Sequence, residues 1–159
     1  CELSGLPEAC AEDGIRPNFV FVLTPDTEAI ASALNDLEEA RAVFGAAAGY
    51  AVVLNDLDGS GFERFRGLRA WEVLDRHAND GVVFARLPRA NSALVRHVTS
   101  RRKLVIDAVD RFDVYADELG LNRPGRNQER RWIGAWFEAA REALAPLVAD
   151  VDGDAETSP

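Results

Sequence analysis

Three short apolar runs punctuate the chain, and helical periodicity fills the intervals between them. Asn18-Phe-Val-Phe-Val-Leu-Thr24 is continuous, β-branched and aromatic, which predicts a strand buried on both faces. Tyr50–Leu54 and Val82–Leu87 predict a second and a third strand. Between the first two, Ile30, Leu34, Leu37 and Phe44 recur near one helical face, with Ala33 and Ala40 filling it. Thr24-Pro25-Asp26 supplies helix-start chemistry, Glu28 an acidic first turn, and Gly45 and Gly49 the exit. Phe62, Phe65, Leu68 and Leu74 predict another helix that ends before Gly81.

Beyond Pro88 the pattern turns wholly helical. Ser92 opens a region that reaches about Leu119, with a break near Ser100. Gly120 and an Arg123-Pro124-Gly125 turn set off a last helix, whose apolar stripe is Trp132, Trp136, Ala140, Ala143 and Leu147. Strands alternating with helices give βαβ units, and so an α/β fold with a parallel sheet. Right-handed crossovers bring all three strand C-termini to one edge. That edge gathers Thr24-Pro25-Asp26, Asn55-Asp56 and Leu87-Pro88-Arg89, and ligands of open α/β sheets bind along it. The expected organisation is a leader over residues 1–17, one α/β domain over 18–149, and an acidic, disordered tail over 150–159.

Charge narrows the choice of partner. The chain has 159 residues, 47% of them hydrophobic, which suits one domain with a real core. Its net charge is -9, and residues 1–60, with 11 acidic and 2 basic side chains, account for it. An acidic whole argues against indiscriminate nucleic-acid binding but leaves room for a local basic patch. Gly81–Ile106 contains no acidic residue and holds Arg86, Arg89, Arg96, Arg101, Arg102 and Lys103. On one continuous helix, Arg96, Ser100 and Lys103 would share a face. Arg123, Arg126, Arg130 and Arg131 form a second group, tempered by Glu129. Both groups read equally well as phosphate-neutralising surfaces or as solvated arginines pairing with Asp107, Asp110 and Asp113. No apolar run approaches the roughly 18 residues of a membrane span, and no signal-peptide pattern is present. The default is a cytoplasmic protein in which Cys1 and Cys10 are reduced.

Several familiar chemistries fail on spacing. An EF-hand loop begun at Asp56 finds oxygen donors at Asp58 and Ser60 and a glycine at Gly61, but Gly67 occupies the place of the bidentate glutamate. A βα turn with solvated carboxylates explains the same residues. Lys103 is the only lysine and is not preceded by glycine, so the chain contains no P-loop. No nucleophile elbow surrounds Ser60, and two histidines and two distant cysteines make no zinc pattern. His77 reads as a helix-end cap or a solvated side chain, and His97 as a surface histidine among arginines.

The order of Leu23-Thr24-Pro25-Asp26, Val52-Val53-Leu54-Asn55 and Arg86-Leu87-Pro88-Arg89, followed by a basic helical region and an amphipathic helix, resembles the C-terminal half of the ParA/MinD-like deviant Walker A ATPases. Plasmid-partition and conjugation-associated members are the most similar. The resemblance spans roughly residues 15–148 and implies a three-layer αβα, P-loop NTPase-like sheet. It also implies that Asn55 hydrogen-bonds adenine and that Leu87, Pro88 and Arg89 lie beside the base. Arg96, Arg101, Arg102 and Lys103 become candidates for nonspecific DNA contacts, assigned by charge and region. The family's phosphate loop and Mg2+ ligands lie in an N-terminal half that has no counterpart here. The expectation is therefore a segment of a longer ATPase, in keeping with the lack of methionine. The intact protein would bind ATP, form an ATP-dependent homodimer, and engage DNA or a DNA-binding adaptor protein. Alone, the chain would offer no cradle for a γ-phosphate. Two rival classes stand beside this reading. One is a non-enzymatic interaction domain that docks a partner through Trp132 and Trp136. The other is an exported, calcium-stabilised lipoprotein acylated at Cys1.

Overall fold

The computed structural model describes residues 5–57, 61–67 and 69–152, with side chains to residue 147 in the last helix. Cys1, the Asp58–Ser60 part of the calcium-like loop, Leu68 and the tail from residue 153 lie outside the described residues. The expected leader includes a short helix, α1 (Leu6–Glu12). Strands β1 (Asn18–Leu23), β2 (Gly49–Asn55) and β3 (Val83–Leu87) form a parallel sheet in the order β1-β2-β3. The connecting helices are α2 (Thr27–Phe44) and α3 (Arg69–Asn79). Then follow α4 (Ala93–Ser100), the single turn α5 (Asp107–Asp110), α6 (Phe112–Glu118) and α7 (Arg123–Asp152).

The start of α2 follows from its sequence. Asp26 has extended backbone, and its carboxylate accepts from the amides of Glu28 and Ala29, each at 3.0 Å. This satisfies two of the amides that a helix N-terminus leaves unpaired. Gly45, at φ 52°, ends the helix in a conformation costly for other residues. Gly49 opens β2 opposite Asn18, where a Cβ would stand 2.0 Å from the asparagine Oδ1. A larger residue there would require the Asn18 side chain to turn away.

The two faces of the sheet differ in bulk. Phe21, Leu23, Tyr50, Val52, Leu54 and Phe84 meet Ile30, Leu34 and Leu37 of α2 and Leu74 of α3 in one core cluster. Both connecting helices therefore cover the same face. The opposite face is built from the smaller Ala51, Val53 and Ala85, all buried, and α7 packs on it over β3. A second cluster joins Leu94, Val95 and Val98 of α4 to Ala108, Phe112, Tyr115 and Ala116, and to Ile133 of α7. Helices thus lie on both faces of a parallel sheet, as an αβα arrangement requires.

Four expectations need correction. The run Asn18–Leu23 is not buried on both faces: Val20 and Val22 are 53% and 56% exposed, because α7 covers β3 rather than β1. Phe62 and Phe65 are buried, but they belong to a 3-10 turn before α3 rather than to the helix itself. Arg123-Pro124-Gly125 is the first turn of α7 and not a separator, since proline is tolerated where helical amides are unpaired in any case. The buried stripe of α7 runs through Glu129, Ile133 and Ala140, leaving Trp132 40% exposed.

Glu129 is the most consequential of these. It is 4% exposed and serves the N-terminus of α4. Its carboxylate accepts from Ser92 Oγ at 2.6 Å and from the amides of Ala93 and Leu94 at 3.2 and 3.3 Å. Ser92 Oγ in turn accepts from Val95 N at 3.0 Å. A carboxylate here meets unpaired amides and the positive end of the helix dipole together. Glu129→Ala would strand three buried donors. It is expected to lower stability by about 1–3 kcal/mol, a Tm drop on the order of 2–10 °C by differential scanning calorimetry. A drop of less than a degree would mean that α4 is held by other contacts.

Candidate functional site

The C-terminal ends of β1 and β2 and one side of α4 enclose a cavity of about 480 Å3. Thr24 and Pro25 follow β1, Asn55 closes β2, and Leu57 follows it. Arg96, Thr99 and Ser100 come from α4. This is the sheet edge that the βαβ pattern marks as a binding position, and the volume is that of a small-molecule site.

Hydrogen bonds between the loops shape the walls. Arg64 Nη2 donates to Pro25 O at 2.6 Å, tying the segment after β2 to the start of α2. Ala90 N donates to Leu57 O at 3.2 Å, joining the β2 and β3 exits. Asp56 is buried and accepts from Gly61 N at 2.8 Å through Oδ1, and from Arg86 Nη2 at 3.3 Å through Oδ2. It is a structural carboxylate, not the solvated one expected from sequence. Arg86 also lies 3.6 Å from Glu63. Among the described residues no group of three or more His, Cys, Asp or Glu side chains is placed to hold a metal.

Asn55 stands at the centre of the edge, paired in register with Leu87. Its Oδ1 is buried and has no hydrogen-bond partner among the described residues. Buried amide oxygens are nearly always satisfied, so this unpaired one, in a residue that lines the cavity, is an acceptor without an assigned partner. Leu87, Pro88 and Arg89 do not line the cavity. Leu87 and Pro88 are half-buried, Arg89 is exposed, and the Pro88 carbonyl accepts from Trp136 Nε1 at 2.7 Å. Trp136 is thereby committed to the fold.

The basic residues divide. α4 ends at Ser100, and Arg102 adopts a left-handed φ of 57°, so Lys103 does not continue the face of Arg96 and Ser100. Arg101 pairs with Glu118, which also holds His97 Nε2 at 2.9 Å. Arg126 pairs with Asp117 and Asp113, and Arg130 pairs with Asp113 at 3.1 Å while lying 4.0 Å over the Phe112 ring. Arg102 and Lys103 are exposed and make no ion pair among the described residues. Arg96 makes none either, and it faces the cavity rather than a common basic surface.

Sequence reasoning missed three contributors. Thr99 on the cavity wall carries no motif. Glu129 looked like a charge among arginines, although its four-residue spacing from Ile133 on the buried stripe was a signal. His77 is buried with Nδ1 2.6 Å from Arg41 Nη1, and so is neither solvated nor a cap. Since guanidinium can only donate, that nitrogen is the acceptor and the ring proton sits on Nε2. No protein-family profile, characterised protein or solved structure matches the chain.

The Glu118 cluster has a pH signature. Hydrogen bonds from His97 first, and then Arg101, hold its carboxyl below the ordinary glutamate range against a smaller opposing effect of desolvation. A carboxyl lowered in the folded state adds stability above the unfolded glutamate pKa, and this is lost as pH falls through the folded value. Glu118→Gln is therefore expected to show a shallower fall of Tm than the parent between about pH 5 and pH 3. Parallel melting curves across that window would show that the cluster adds nothing.

Proposed function

We propose that the chain forms the base-binding side of an ATP site in a ParA/MinD-like ATPase. The observation that carries the reading is Asn55, which lines the edge cavity and whose buried Oδ1 has no hydrogen-bond partner among the described residues. An amide can accept from and donate to a purine edge, and a partly apolar wall of Pro25 and Leu57 suits a flat heterocycle. In this reading Leu87 acts through its strand pairing with Asn55, and not by touching the base. The phosphate loop and the Mg2+ ligands are supplied by a preceding half. ATP-driven dimerisation and DNA engagement are the associated proposals, with Arg102 and Lys103 the exposed unpaired cations available for phosphate contact.

A second reading, a protein-interaction domain, is favoured by a separate observation. Val109, Phe112, Ile133 and Phe137 line an apolar groove of about 320 Å3, and Trp132 of the same helix is 40% exposed.

The ATP reading is checked by amide NMR of the 159-residue chain. Millimolar ATP is expected to shift the Asn55 side-chain resonances and the Thr24 and Leu57 amides. Asn55→Ala should weaken the interaction by about fivefold, the worth of one hydrogen bond. No movement at these positions, or unchanged affinity in the variant, rejects the assignment.

A further inference from the structure

We infer that Arg96 is the anion contact of the edge cavity, so that the site takes a phosphorylated nucleotide in preference to the bare nucleoside. The base half of this statement rests on the proposed function. The anion half stands on its own observations.

The first is availability. Arg86, Arg101, Arg126, Arg130 and Arg141 are held by carboxylates. Arg96, like Arg89, Arg102 and Lys103, makes no ion pair among the described residues. The second is position. Arg96 lies on the cavity wall with Thr24 and Asn55, whereas Arg102 and Lys103 follow the end of the helix and do not line it. The third is the chemistry of its neighbours. Thr99 Oγ1 donates to Val95 O at 3.0 Å, and Ser100 Oγ donates to His97 O at 2.8 Å. Both hydroxyl protons are spent on the helix backbone, so their oxygens remain as acceptors. Neither hydroxyl is then a donor for an anion, which leaves that task to the cation beside them. The cation on this part of the wall is Arg96, whose planar guanidinium matches phosphate geometry.

A ligand seated here therefore needs a hydrogen-bond donor for Asn55 Oδ1 and a negative charge for Arg96. A nucleoside monophosphate, diphosphate or triphosphate carries both, and a nucleoside carries only the first. The residue that resembled part of a DNA-binding face is reassigned to a small-molecule site.

The test titrates the full chain with adenosine, AMP, ATP and inorganic pyrophosphate, following amide NMR shifts at low salt. Arg96→Gln is compared with Arg102→Gln and Lys103→Gln. AMP and ATP are expected to bind about fivefold to tenfold more tightly than adenosine. Arg96→Gln should abolish that preference and leave adenosine unchanged, while the other two variants keep it. The preference should shrink as salt is raised, because Arg96 is exposed. A preference that survives Arg96→Gln overturns the inference. Adenosine binding lost in Asn55→Ala, together with an inert Arg96→Gln, would keep the base reading and discard the anion contact. Pyrophosphate binding that depends on Arg96, with no response from Asn55 to any nucleoside, would do the reverse. A chain that binds none of the four ligands rejects both.

Discussion

One buried carboxylate holds the candidate site together. Glu129 sits near the start of α7 and satisfies the first amides of α4, while the rest of α7 lies across β3. A single long helix therefore fixes two things at once. It closes one face of the sheet, and it sets where α4 stands relative to the strand ends. The cavity has two walls, the sheet edge and α4, and Glu129 and Trp136 link α4 and the β3 exit to the same long helix by hydrogen bonds. Desolvating a carboxylate is costly, and that cost is tolerable here because three donors and a helix N-terminus meet it.

The sheet itself is lopsided for a physical reason. Small residues on the α7 face, Ala51, Val53 and Ala85, let a helix approach closely but give little apolar area. The larger side chains face α2 and α3, where most of the sheet's burial occurs. β1 lies at the far side of this arrangement from α7, so its Val20 and Val22 stay exposed beside an edge without a strand partner among the described residues. Apolar edge strands are usually protected by charge, proline or a covering element. None of the residues of Asn18–Leu23 is charged or a proline. The same feature is compatible with both readings of function, since an added strand and a docked partner would each cover it.

The periodic features of the fold were legible along the chain. Continuous apolar runs placed the three strands within a residue or so, and the Ile30–Phe44 spacing placed α2 and its buried face. The βαβ order then put Asn55 at the ligand edge without any motif. What could not be read was set by partners remote in sequence. Whether a β-branched run is covered on one face or two depends on where α7 falls, more than a hundred residues later. Beyond its spacing from Ile133, Glu129 could be told from its arginine neighbours only by knowing that α4 begins beside it. A break near Ser100 was expected, but not the left-handed Arg102 that turns Lys103 away from the face of Arg96, because such an arginine carries no local signal of the kind a glycine gives.

Charge is where the two levels join. By composition, the basic stretch from Arg86 to Lys103 reads as one phosphate-binding surface. In three dimensions it dissolves into separate tasks: Arg86 braces Asp56, Arg101 clamps α4 to α6 through Glu118, and Arg96 turns to the cavity. An ion pair braced in this way cannot also release counterions from DNA, so the polyelectrolyte contribution of the stretch is smaller than its formal charge. With the acidic first third of the chain adding a repulsive field, a single unpaired guanidinium inside a concave site is a more economical anion receptor than a diffuse surface. In the proposed site Asn55 would supply the directional contact that an exposed, salt-screened guanidinium lacks. The proposed pairing of a directional amide with a cation depends on the placement of α4, whose first amides Glu129 holds.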